Sequence, residues 1–382
     1  MNLSERCSWV SQSDIRRMTI ECNRMGGINL AQGVCDLPVP PAVKRGAQAA
    51  IDQGINSYTR YDGLPELRQA IAQKMQTCYH IKIDPETEVI VSAGATGAFY
   101  CTCLALLNPG DEVIVFEPYY GYHVNTLIAA GAQPVYVKLL PPAWAFTETD
   151  LEQAVTSRAR AILINTPMNP SGKVFTQVEL ELIARFAAQH DLFVFTDEIY
   201  EHIVYDHNRH FPAMQLPGMK ERTITISALS KTFSVTGWRV GYALCDARWS
   251  RPIGYFNDLV YVCAPAPLQI GAARGLLELP QEYYDEMCRG YLRKRDKICA
   301  ALAQAGFTPF IPKGSYYVLA DISKIKGQDS HERAMNLLHQ TGVACVPGRA
   351  FYSDGEGETL GRFCFAREDK VIEEACRRIE KV

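Results

Sequence analysis

Long apolar runs and a surplus of basic residues are both missing from this 382-residue chain. Its most apolar stretch, Ala98 to Leu107, falls well short of the ~20 residues that span a bilayer. That stretch reads as a buried helix, and no membrane partner is expected. Lys and Arg total 39 against 42 Asp and Glu, a balance without the basic footprint of a nucleic-acid binder. Met1 to Val10 lacks the basic start and apolar core of a secretory signal, so a cytoplasmic location is expected. Metal-ligand spacing is wanting as well. The 13 cysteines are scattered and form no CxxC pair, which argues against a zinc or thioredoxin-type site. Cys101 and Cys103, inside the apolar helix, read as small core hydrophobes, and reduced thiols agree with the cytosol. His202, His207 and His210 have no acidic or cysteine partner at ligand spacing. They read as a solvated loop, and no metal is expected. No GxGxxG follows a strand, and Gly172-Lys173 stands outside a P-loop pattern, so dinucleotide and nucleotide sites lose support.

What the chain does have is core-forming material: 47% of it is hydrophobic, enough for two domains. Short β-branched apolar runs recur at Glu88–Ser92, Glu112–Phe116, Pro134–Lys138, Ala161–Asn165, Leu192–Thr196, Thr223–Ser227 and Val240–Cys245. Helical patterns separate many of them, notably Thr176–Gln189 with Val178, Leu180, Leu182, Ile183 and Phe186. Apolar strands alternating with helices predict an α/β fold whose mostly parallel seven-stranded sheet lies between helices. Beyond Ala264-Pro-Ala-Pro267 the pattern becomes a charge-rich helix, then strands near Tyr316–Ala320, Val343–Val346 and Arg362–Ala366 around a helix at His331–His339. These predict a smaller α+β domain, joined by an N-terminal segment too short to fold alone. The expected division is an arm at 1–45, a large domain at 46–270 and a small domain at 271–382.

Parallel sheets bind ligands beyond the carboxyl ends of their strands, so the residues there carry the functional argument. After the run ending at Ser227 comes Ser230-Lys-Thr-Phe-Ser-Val-Thr-Gly-Trp-Arg-Val-Gly241. Most lysines are solvated, but Leu229, Phe233, Val235 and Trp238 surround Lys231 with apolar bulk. Desolvation and a nearby cation lower a lysine pKa and yield the neutral amine that attacks carbonyls. Ser230, Thr232 and Arg239 can supply donors to a phosphate. This stretch resembles the cofactor-lysine motif of the class I/II, fold type I aminotransferases, and the resemblance covers nearly the whole chain. It implies that pyridoxal 5′-phosphate (PLP) is the cofactor and that Lys231 holds it as a Schiff base.

The resemblance assigns roles to further residues at strand ends. Asp197, which local rules would make a helix N-cap, is implied to pair with the pyridinium nitrogen and keep the ring an electron sink. Tyr200 corresponds to the tyrosine that hydrogen-bonds the phenolic oxygen, while Glu198 reads as solvated or structural. Asn169, in Asn165-Thr-Pro-Met-Asn-Pro170, is implied to contact the phenolic oxygen and the substrate carboxylate, with Asn165 on the substrate side. Gly94-Ala-Thr-Gly97 opens a helix whose free N–H groups suit a phosphate, and Ala95 and Thr96 are the implied contacts. Tyr120 is implied to stack on the pyridine face. Tyr58 resembles the tyrosine that reaches the neighbouring subunit's phosphate, which implies a homodimer with shared sites. Gly33, in Leu30-Ala-Gln-Gly33, matches a glycine loop near the substrate. Arg362, otherwise a strand-edge charge, matches the arginine that grips the α-carboxylate through two parallel bonds. The chain departs from the family at Ala228, where a phosphate-binding serine is common; Ser230 with Arg239 is expected to compensate.

The implied reaction is transamination from an L-amino acid to a 2-oxo acid, by a ping-pong route in which Lys231 moves the Cα proton. Two other readings remain open at this point. A carbon–sulfur β-lyase of the same fold would use the same lysine. A non-catalytic PLP-binding regulator would need a DNA-binding module for which the cation-poor N-terminus offers no helix-turn-helix. Which amino acid is used depends on pocket shape, which one sequence does not place.

Overall fold

A computed structural model describes residues 3–9 and 13–382 of the chain. The seven expected apolar runs all form strands, displaced by at most two residues at an end: β1 (Val89–Ser92), β2 (Glu112–Glu117), β3 (Gln133–Lys138), β4 (Ala159–Asn165), β5 (Phe193–Asp197), β6 (Thr223–Ala228) and β7 (Gly241–Leu244). They make one sheet in the order β1-β7-β6-β5-β4-β2-β3. β7 runs antiparallel to both neighbours, and every other pair is parallel. Every residue of β2, β5 and β6 is buried, because helices cover both faces and leave no side of these strands to water.

The helices follow from local chemistry. Gln177–Gln189 starts at Thr176, which forms a capping box with Glu179. It buries Leu180, Ile183, Phe186 and Ala187 at helical spacing. Val178, counted on the apolar face from sequence, instead points to water; it sits in the first turn, off that stripe. The apolar helix runs Gly94–Leu106 and packs against Ala247–Tyr261, with Cys101 and Cys103 in the core. Among the described residues no helix is long and apolar enough to cross a membrane.

A second sheet of four antiparallel strands orders Val346–Pro347, Leu360–Cys364, Tyr317–Asp321 and Thr308–Phe310. The run expected as one strand at Val343–Val346 is split. Val343–Ala344 pairs with Ile28–Asn29 of the N-terminal segment, and Val346–Pro347 joins the second sheet. The change of partner at Cys345 ties the two ends of the chain together. The helix Ala266–Glu278 spans residue 270 and packs on Pro41–Asp52.

One sequence reading is corrected here. His202, His207 and His210 do not share a solvated loop. The His210 Nε2 atom lies 2.9 Å from Glu198, with both side chains buried, and His202 packs over Tyr284 with ring centroids 4.6 Å apart. Burial drives the His202 imidazole down to about 4; only His207 is exposed. Glu198 is therefore structural and dry. Beside it, Lys74 bonds Glu201 at 2.6 Å and the Tyr242 hydroxyl at 2.9 Å, while the Tyr79 hydroxyl donates to Glu201 at 2.7 Å. Burial alone would raise the Glu201 carboxyl, but the Lys74 ammonium overrides it and holds the group at about 2. Removing one partner strands the other charge in the core. Lys74→Met is expected to cost about 3–5 kcal/mol in urea unfolding, and Lys74→Met with Glu201→Gln to recover most of it. Equal losses in the single and double variants would show that the pair is not the source.

Candidate active site

The carboxyl ends of β1, β2, β4, β5 and β6 lie along one edge of the sheet, since these strands run the same way. Each is followed by chemistry: Gly94 after β1, Tyr120 after β2, Asn165 at the end of β4, Asp197 at the end of β5 and Lys231 after β6. A cavity of about 280 Å³ opens at this edge and is closed from the other side by residues of the second sheet. Its lining includes Gly33, Ala95, Thr96, Tyr120, Asn165, Asn169, Asp197, Tyr200, Ser230, Lys231, Arg239 and Arg362. Residues separated by more than 300 positions thus share one wall. Tyr58 stands apart: it is 84% exposed and outside the lining. Thr232, expected among the phosphate donors, is buried outside the lining.

Lys231 Nζ donates to the Gly33 carbonyl at 3.1 Å and lies 5.6 Å from the centre of the Tyr316 ring. It keeps some accessible surface because it borders the cavity, yet protein surrounds the rest. Burial is the main cause that pulls its ammonium below the ordinary lysine value, and the Arg239 charge adds to it. Leu229, Phe233 and Val235 are buried beside it. Gly33 must be glycine, for any Cβ there would overlap the Tyr317 hydroxyl.

Asp197 is buried, and its Oδ2 lies 2.8 Å from His123 Nε2. Its Oδ1 accepts from the Ile199 N–H at 3.2 Å, in a turn rather than the helix cap that local rules favoured. Phe99 meets the His123 ring edge-on at 5.2 Å. The Tyr200 hydroxyl donates to Tyr317 at 3.3 Å, and burial raises both phenols. Arg362 is 1% exposed, a buried side chain rather than a strand-edge charge. It donates to Asn169 Oδ1 at 2.7 Å and to the Ala31 carbonyl at 2.6 Å, lies 4.2 Å from the centre of the Tyr317 ring, and leaves Nε without a partner among the described residues. Asn169 N–H in turn donates to Asn165 Oδ1 at 2.8 Å.

At the other end of the cavity the helix Gly94–Leu106 begins with no side-chain cap, so its first N–H groups are free for an anion. Gly94 has φ +76°, and a Cβ there would overlap the Arg239 guanidinium, which reaches back over this turn. Ser230 and Thr236 complete the corner. Ser227, on the other side of Ala228, is 3.4 Å from Glu201 and faces the core network. This set fits PLP: an anion corner for its phosphate, a buried carboxylate for its ring nitrogen and an amine of lowered pKa for its aldehyde. His123, Tyr316 and Tyr317 escaped the sequence reading. The only signal for His123 was a histidine three residues after Tyr120; for the tyrosines it was a pair opening a strand.

A family model for aminotransferase class I and II matches residues 26–379. The chain belongs to the class I and II aminotransferases. A probable N-succinyldiaminopimelate aminotransferase of Mycobacterium tuberculosis is 37% identical, covering 95% of this chain and 94% of its own. An aspartate aminotransferase of Pyrococcus abyssi is 36% identical over 100% of this chain and 98% of its own. The solved structure of the Mycobacterium tuberculosis N-succinyldiaminopimelate aminotransferase superposes with a TM-score of 0.96 at 36% identity, each chain fully covered. This aminotransferase is PLP-dependent and catalyses transamination; the β-lyase and regulator readings are not favoured. Amino acid and 2-oxo acid substrates fit that family. Gly94→Ala, which forces a Cβ into Arg239 and a left-handed residue, is expected to weaken PLP binding by about tenfold. Spectral titration of the apoenzyme checks this, and unchanged affinity would remove Arg239 from the phosphate corner.

Proposed function

We propose that Lys231 is the cofactor lysine and the proton carrier of this transamination. The carrying observation is that Lys231, Asp197 and the uncapped helix start with Arg239 line one cavity. Bound there, PLP supplies the electron sink that makes the substrate Cα–H acidic. Asp197, oriented by His123, holds the positive ring nitrogen, and Tyr200 and Asn169 face the phenolic oxygen. Tyr120 covers the ring face, while Ala95, Thr96, Ser230 and Arg239 hold the phosphate. Arg362 takes the α-carboxylate beside Asn169, with Gly33 and Asn165 along the substrate path. That grip would set which Cα bond is broken, and Lys231 Nζ would accept the Cα proton and pass it to the cofactor's C4′ carbon within the same half-reaction. Borohydride reduction of the loaded enzyme is expected to leave the pyridoxyl label on Lys231 in peptide mapping. Lys231→Ala should lose turnover by at least ~10³-fold, and a variant with wild-type turnover would overturn the assignment. Arg362→Lys should raise KM for amino acids by at least ~10-fold, read from the half-reaction absorbance change.

We further propose a cytoplasmic homodimer in which Tyr58 reaches the other subunit's phosphate site. Tyr58, Leu259 and Tyr255 are exposed in the single chain, the last packed on Tyr61, which supports an apolar face there. Cysteines that remain free, most of them buried, support a reducing compartment. The division into segments 1–45, 46–270 and 271–382 is part of the same proposal.

A further inference from the structure

Tyr316 is fully buried and does not line the cavity, yet it meets the one lysine that does. Its hydroxyl donates to the Gly33 carbonyl at 3.3 Å, and Lys231 Nζ donates to the same oxygen at 3.1 Å. Among the described residues no other group donates to that carbonyl. The Tyr316 ring presents its face to Nζ, 5.6 Å from centroid to nitrogen, within the range at which an aromatic face attracts an ammonium. The ring is itself held in place, because Tyr200 meets it edge-on at 5.0 Å and Tyr291 packs on it at 5.7 Å. The other titratable or charged groups that act on Lys231 are Cys35, Cys364, Arg239 and Asp197. Among the described residues none of them is hydrogen-bonded to Nζ.

Attachment of the cofactor changes this arrangement. The neutral amine condenses with the aldehyde, a C=N bond forms, and both N–H hydrogens leave with the aldehyde oxygen as water. The hydrogens that Nζ could offer Gly33 are thereby lost, and cofactor in the cavity displaces the water that could replace them. We infer that Tyr316 is a positioning residue for Lys231: its hydroxyl keeps the Gly33 carbonyl satisfied while Nζ holds the cofactor, and its ring face receives the ammonium when Nζ is released. The Gly33 carbonyl and the Tyr316 ring thus form a dock that Lys231 leaves and re-enters in each half-reaction. The carbonyl keeps a donor in both positions, so leaving the dock orphans no acceptor. The inference rests on Lys231 being the cofactor lysine and adds a residue that acts through it.

The test compares wild type with Tyr316→Phe and Tyr316→Leu as full-length apoenzymes. Each is titrated spectrally with PLP and, separately, with pyridoxamine 5′-phosphate, which has no aldehyde for Lys231 to attack and so leaves the lysine docked. Tyr316→Phe removes the hydroxyl and keeps the ring. It is expected to weaken PLP binding about fivefold and to leave the affinity for pyridoxamine 5′-phosphate at the wild-type value. Competitive labelling of the apoenzymes with acetic anhydride across pH, read on the Lys231 peptide by mass spectrometry, follows the titration of the amine. Losing the ring in Tyr316→Leu should lower its midpoint by about one pH unit, whereas Tyr316→Phe should hold it within about 0.3 of wild type. Equal weakening of both cofactor forms in Tyr316→Phe, or no weakening of either, overturns the inference, as does a Tyr316→Leu midpoint equal to that of wild type. Should Tyr316→Leu not fold, the Tyr316→Phe comparison decides alone. A borohydride label on a residue other than Lys231 in the wild-type enzyme overturns the assignment of Lys231 and this inference together; a label on Lys231 with equal losses overturns this inference alone.

Discussion

The register between β4 and β5 is the constraint on which the site depends. Asn165 and Asp197 are opposed in that pairing, and Asp197 is opposed to Ile226 of β6. The Asp197 carbonyl accepts from Asn165 Nδ2 and from the Thr166 N–H, each at 3.0 Å. A slip of one residue would turn every side chain on a strand to the other face. It would send the Asp197 carboxylate away from His123 and separate Asn165 from Asn169. Burial on both faces makes such a slip costly, so the core that stabilises the sheet also aims the site.

Charge is managed differently on the two sides of this edge. Below it, Lys74 with Glu201 is a closed ion pair, and His210 Nε2 lies against Glu198. Within the cavity the groups are left short of partners. Among the described residues Arg362 Nε has no partner, the helix start at Gly94 has no side-chain cap, and Lys231 Nζ bonds the Gly33 carbonyl alone. Unpaired buried donors are costly in an empty core; here they converge on one volume, an arrangement suited to anionic ligands. The local rules fail at the residues that line the cavity.

Much of the fold was legible because continuous β-branched runs have few other uses. The strand-end motifs were legible because parallel sheets place ligands there. Less legible were contacts that depend on a side chain's partner across the fold. His123 sits in an ordinary helix, and only its approach to Asp197 gives it a role. His210 read as part of a solvated loop until the turn after Glu198, twelve residues earlier, folded one onto the other. Val178 obeyed the apolar pattern and still faced water, since periodicity does not tell which turn of a helix reaches the core.

The sequence alone determined the strand-and-helix alternation, the lysine segment after β6 and the family that these imply, because local propensity and ordered motifs survive without coordinates. The tertiary structure decided that Arg362 is buried between Asn169 and Ala31, that Arg239 reaches back over Gly94, and that Tyr316 and Lys231 share the Gly33 carbonyl. Each of these is a meeting of residues far apart in the chain: the pairing of β1 with β7 brings Arg239 to Gly94, and the packing of the two sheets brings the others together.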